Sequence, residues 1–141
     1  MKIKLSTVLD SLPALQELGS ASGISADISY KISKTIRSCI DENKYYNELR
    51  EKKAKELAEK DESGKEKIIE ISTKFGIQKA FDLTEDNKKI LENFVLDLRE
   101  TFVEIWATPI NISSLSEAKI RPIVLASLDW LIINEESAIE L

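Results

Sequence analysis

The chain has 141 residues, 43% apolar and 32% charged, with 20 Lys and Arg against 25 Asp and Glu, one Cys and no His. That is one ordinary domain, large enough to bury a core without a staple, and the composition excludes disorder, imidazole chemistry, an internal disulfide and a multi-thiolate zinc site. A formal charge of -5 repels polyphosphate on average, so no nucleic-acid partner is expected without a local basic patch.

Met1-Lys2-Ile3-Lys4-Leu5-Ser6 lacks the apolar run of a signal peptide, so the mature chain is expected to begin at Met1. The longest apolar stretch, Ile123 to Ile133, is broken by Ser127 and Asp129 and falls short of the ~20 residues that cross a bilayer. A soluble protein of a reducing compartment is expected, with no membrane partner. Lys2 to Leu5 alternates as a short strand does, and Ser6 or Thr7 can cap a helix carrying Val8, Leu9 and Leu12. Pro13 either kinks that helix or restarts it, and Gly19 and Gly23 mark a break.

From Ser25 to about Lys60 there is neither Pro nor Gly, and Ile24, Ile28, Ile32, Ile36 and Ile40 draw one apolar ridge along a helix. Ser25 is placed to cap it, with Asp27 in the first turn. At ~1.5 Å per residue this helix reaches about 50 Å, so part of it is expected to project. After Tyr45, Tyr46 and Leu49, the run Arg50 to Lys60 has high helix propensity and few apolar anchors. Asp61-Glu62-Ser63-Gly64 supplies a stop, and Ile69 and Ile71 within Lys65 to Ile71 read as a short strand. Thr84 caps a second helix through Ile90, Leu91, Phe94, Val95, Leu98 and Phe102, expected to pack antiparallel on the isoleucine ridge. Phe102 to Ala107 has the content of a strand stopped by Pro109, and Arg121-Pro122 opens a short helix burying Val124, Leu125, Leu128, Leu131 and Ile132. The polar tail Asn134-Glu135-Glu136-Ser137 reads as a tether to a neighbour.

The fold class this predicts is mainly α: a long antiparallel helical hairpin, with short N- and C-terminal segments pairing as a small sheet. One domain over 1–141 is expected, its arm spanning about 25–101 and its base formed by 1–23 and 102–141.

The acidic pairs Glu48/Glu51, Glu56/Glu59 and Asp97/Glu100 have the spacing by which helices hold magnesium in all-helical nucleotide pyrophosphatases. Arg50, Lys52, Lys53, Lys55 and Lys60 are interleaved among the first four acids, so a solvated face is the favoured reading and no metal site is assigned. Cys39 has no His to activate it and reads as a small core hydrophobe. No glycine loop opens a lysine-bearing helix, so no nucleotide cofactor is expected. Tyr45, Tyr46 and Arg50 put aromatics beside positive charge, but Glu42, Glu48 and Glu51 cancel the field a single strand would need. Tyr45, Tyr46, Leu49, Arg50, Trp106 and Trp130 are therefore candidate contacts for a protein partner.

The order of Met1-Lys2-Ile3-Lys4-Leu5, Leu12-Pro13-Ala14-Leu15, Tyr30-Lys31-Ile32-Ser33-Lys34, Glu48-Leu49-Arg50, Lys60-Asp61-Glu62-Ser63-Gly64, Phe81 with Thr84-Glu85, and Pro109-Ile110-Asn111-Ile112 through Leu115, Ile120 and Pro122 to Leu128 resembles a set of small bacteriophage-encoded proteins without assigned activity. The resemblance implies a viral origin, a location in the host cytoplasm or the virion, and no transferable catalytic residue. The expected function is non-enzymatic: self-association, or docking onto phage structural proteins. An inhibitor of host defence, acting on a host protein or sequestering a nucleotide signal, is the alternative, and a metal-dependent pyrophosphatase a second.

Overall fold

The computed structural model describes residues 1–134, so the expected tether at Glu135, Glu136 and Ser137 lies outside the described residues. In chain order the elements are β1 (Lys2–Lys4), α1 (Leu5–Ser20), α2 (Ala26–Leu57), β2 (Ile68–Thr73), β3 (Gly76–Phe81), α3 (Glu85–Arg99), β4 (Phe102–Glu104), β5 (Ile110–Asn111), a 3-10 turn (Ile112–Leu115), α4 (Pro122–Ala126) and β6 (Ile132–Ile133). The expected helical hairpin with a minor sheet is not the fold. Among the described residues the chain is mixed α/β, with four helices and three separate two-stranded sheets. The chain divides into two compact units, Met1–Lys44 with Thr101 onward, and Tyr45–Glu100.

In the first unit, α1 runs through Pro13 without interruption. Proline removes one backbone donor there, and its ring lies on the exposed side of the helix. The opposite side buries Val8, Leu12, Leu15 and Leu18, which share one core with Ile28, Ile32, Ile105, Ile110, Leu115, Val124, Leu128 and Leu131. This corrects the packing expected of the isoleucine ridge: α1 and the C-terminal segments cover it, in place of the second long helix. A methyl group on Gly19 would stand 2.7 Å from Ile36 Cδ1, which shows how closely α1 approaches the ridge. Cover is uneven, since Ile28 and Ile32 are buried, Ile24 and Ile36 half-buried, and Ile40 is 43% exposed.

One sheet ties the two sequence segments of this unit together, and another closes the second segment on itself. β1 pairs antiparallel with β4 in the register Lys2–Glu104, Ile3–Val103 and Lys4–Phe102, and β5 pairs parallel with β6. The Arg121 guanidinium donates to both Glu17 carboxylate oxygens at 2.7 Å, and these bonds hold the Glu17 carboxyl below its ordinary range. Trp130 is half-buried, and its Nε1 donates to Ser11 Oγ at 2.8 Å. Ser11→Ala leaves that indole N–H unpaired and is expected to cost about 1–2 kcal/mol; urea unfolding followed by tryptophan fluorescence checks it.

The second unit consists of the C-terminal half of α2, the β2–β3 hairpin and α3. The stop after α2 is built by Asp61, whose carboxylate accepts from Ser63 N, Ser63 Oγ and Lys65 N at 2.6–3.0 Å. Those bonds, the Ser63 hydroxyl first, lower the Asp61 pKa, and Gly64 completes the turn at φ +82°. β2 and β3 pair antiparallel from Ile68–Phe81 to Thr73–Gly76. Thr84 caps α3 by accepting from Asn87 N at 3.1 Å, and Asn87 Nδ2 donates to the Leu57 carbonyl at 2.9 Å.

Candidate functional site

Apolar residues of the second unit are distributed very differently from those of the first. Of its hydrophobic side chains only Tyr46 and Ala58 are buried. Ile68 is 60% exposed, Ile77 72%, Phe75 80% and Leu96 60%. Exposure on this scale follows from the architecture. A two-stranded sheet is marginal alone and has two faces to cover, and the alternation of strand residues puts Ile68 and Ile77 on one face and Ile69 and Ile71 on the other. Isoleucine is open to solvent on both.

Beside the hairpin lies a groove of about 640 Å³, lined on α2 by Asn47, Arg50, Glu51 and Ala54 and on the hairpin by Ile68, Ile71, Lys79, Ala80 and Phe81. Leu83 and Leu91 close it. Its floor is apolar and its charges are of both signs, a combination that suits protein side chains better than a phosphorylated small molecule.

Tyr45, Tyr46, Leu49 and Arg50 stand together on α2 in this unit. Tyr45 is exposed, Tyr46 buried, Leu49 half-buried. Arg50 lies with its guanidinium carbon 5.6 Å from the centre of the Tyr46 ring and lines the groove. The same cation–aromatic contact recurs between Lys53 and Phe94 at 5.5 Å. Trp106 and Trp130 belong to the first unit. Trp106 is 38% exposed, with Lys34 Nζ 4.6 Å from its ring centre and its backbone N donating to Ser38 Oγ at 2.8 Å.

Sequence reasoning missed the hairpin residues Phe75, Ile77, Lys79 and Phe81. The available signal was Thr73-Lys74-Phe75-Gly76 between two alternating runs, since glycine after a short polar turn marks a hairpin. Gly76 takes φ +106°, and the Thr73 hydroxyl both donates to the Gly76 carbonyl and accepts from Phe75 N.

The acidic pairs sit in mixed charge: Lys53 reaches Glu56 at 3.8 Å, and Glu51 is next to Arg50 on the groove wall. Among the described residues no group of three or more His, Cys, Asp or Glu is placed to hold a metal ion, and no helix is long and apolar enough to cross a membrane. Cys39 is fully buried, and burial, assisted by the Glu42 carboxylate, pushes its thiol from 9.0 up to about 11. The folded chain thus holds this proton more tightly than the unfolded one. The stabilisation it gives is present below about pH 9 and is lost as pH rises toward about 11. The native thiol is expected to resist a disulfide reagent near pH 8 and to react fully once the protein is unfolded; rapid stoichiometric labelling of native protein would contradict this placement. No protein-family model, curated protein or solved structure matches the chain.

Proposed function

We propose that the chain is a non-enzymatic interaction protein whose second unit is a protein-docking surface, used for self-association or for joining a larger assembly. The observation that carries this reading is the contrast between the units. One buries a large shared core, although Ile40, Ile112, Ile123 and Ile133 stay exposed at its surface, while the other buries only Tyr46 and Ala58 of its hydrophobic side chains and leaves Ile68, Phe75, Ile77 and Leu96 open. Large apolar side chains left open on a unit with so little buried core favour an interaction site. The resemblance to bacteriophage-encoded proteins adds a setting, a virion or an assembly complex in the host cytoplasm.

The test is the binding of an apolar fluorescent dye, anilinonaphthalene sulfonate, at dilutions where the chain sediments as a single copy. Bright fluorescence that falls in Ile77→Lys, with an unchanged far-UV circular dichroism spectrum, supports the reading. A dissociated wild-type chain no brighter than buffer overturns it.

A further inference from the structure

We propose that the second unit is an insert that opens and closes cooperatively while the first unit stays folded, so that the docking surface exists only in the closed state. The opening stands on the packing of each unit taken by itself; its consequence for docking rests on the reading of the second unit as an interaction surface. A partner that grips the closed insert holds it shut, and its apparent affinity is reduced by the closed fraction.

Chain order gives the first argument. The second unit, Tyr45–Glu100, interrupts the first, which takes its two segments from either side of that range. Those segments are fastened to each other without it. The β1–β4 register joins them, as do the bonds from Leu5 N to the Thr101 carbonyl at 2.8 Å and from Ile105 N to the Met1 carbonyl at 2.9 Å. Trp106 N adds its bond to Ser38 Oγ on α2. Among the described residues, the buried core of the first unit and the half-buried hydrophobic side chains packed against it all come from these two segments. That burial survives release of the insert, and the chain on both sides of the insert stays anchored.

Burial gives the second argument. Tyr46 and Ala58 are the buried hydrophobic side chains of the insert, α3 has no buried residue, and the remaining apolar contact is made by half-buried side chains such as Leu49, Leu91, Phe94 and Leu98. Local bonds do not compensate, since a helix of 15 residues is marginal by itself in water and so is a two-stranded hairpin. The parts are held as one body by a few bonds between them. Asn87 Nδ2 ties α3 to the end of α2. At the base of the hairpin Glu59 N donates to the Asp82 carbonyl, Asp82 N to the Lys67 carbonyl and Lys67 N to the Glu59 carbonyl, at 2.7–2.9 Å. This ring is lost as a whole when any of its strands leaves, which makes opening cooperative. Along α2 itself the support changes at the boundary: Ile28, Ile32, Thr35 and Cys39 are buried before it and Tyr46 alone after it. Free energies of local opening follow such differences in buried apolar contact.

Amide hydrogen exchange of the full chain, resolved by residue with NMR and repeated at rising urea concentrations below the unfolding transition, tests the proposal. The slowest amides of α3, of the hairpin and of α2 after Tyr46 are expected to share one opening. They are expected to be at least about a hundredfold less protected than the slowest amides of α1 and of α2 before Cys39. Ser11→Ala and Leu15→Ala weaken the packing of the first unit. Each is expected to speed exchange of its slowest amides about fivefold or more and to leave the insert unchanged. One shared rate for the slowest amides of both units overturns the proposal, as does a variant that speeds both units alike. Separate rates in a dissociated chain that is dark with dye remove the docking surface and keep the opening; one shared rate in a chain that is bright removes the opening and keeps the surface.

Discussion

Gly23→Ala is expected to destabilise the protein by about 2–5 kcal/mol, while Gly64→Ala costs about 1–2 kcal/mol, although both glycines have φ +82°. The two sites share the backbone penalty for a side chain in the left-handed region, about 1–2 kcal/mol. They differ in what surrounds them. At Gly23 an added methyl would overlap the Glu117 carbonyl oxygen and stand 3.4 Å from Ala118 Cα. These atoms are backbone, fixed in part by the bond from Lys119 N to the Ser22 carbonyl at 3.2 Å, so the α1–α2 corner or the Glu117 segment has to move. Overpacking of that kind adds about 1–3 kcal/mol. At Gly64 nothing lies within 4 Å. Urea unfolding followed by far-UV circular dichroism measures both, and equal costs would mean that the Gly23 corner yields freely.

The second large effect is Leu15→Ala, expected to cost about 2–5 kcal/mol. Leu15 has no exposed surface and belongs to the core of the first unit with Leu18, Ile32 and Leu128, each of them also buried. Removing its side chain loses the transfer free energy and leaves a cavity lined from α1, α2 and the C-terminal segment. Trp106 and Trp130 both lie in this unit, so tryptophan fluorescence reports the loss directly. Leu96→Ala is the contrasting change. Leu96 is 60% exposed on α3, and its truncation is expected to stay within about 0.5 kcal/mol in the dissociated chain. A Leu15→Ala protein as stable as wild type would mean that the core of the first unit is not packed as described.

Both predictions depend on a division that local sequence signals do not display. The ridge from Ile24 to Ile40 and the run from Ile90 to Phe102 have similar helical periodicity, which suggested that one covered the other. Periodicity reports which side of a helix is apolar and carries no information about what lies against it. In the structure the ridge is covered by α1 and residues beyond Ile105, contacts separated by up to about a hundred positions in the chain, which no window of a few turns can contain. Half-buried side chains on α3 are a consequence: it has no buried residue, and its apolar stripe remains partly open.

Local chemistry by itself determined several element ends, but not the start of α1, which follows Lys4 without a side-chain cap from Ser6 or Thr7. Thr84 precedes α3 and caps it, Pro122 stands in the first turn of α4, Lys2–Lys4 is a strand and Asp61 with Gly64 terminates the α2 arm, because caps, turns and alternation are set by atoms within a few residues of one another. Only the tertiary structure decided that β1 meets β4 and β5 meets β6, that β3 folds back to give a hairpin apolar on both faces, and which isoleucines lose their water. Strand pairing and burial depend on the relative placement of distant segments, where loop closure and competing apolar partners decide the outcome. The candidate surface was legible in the sequence only at Tyr45, Tyr46, Leu49 and Arg50, since exposure is a property of what fails to cover a residue.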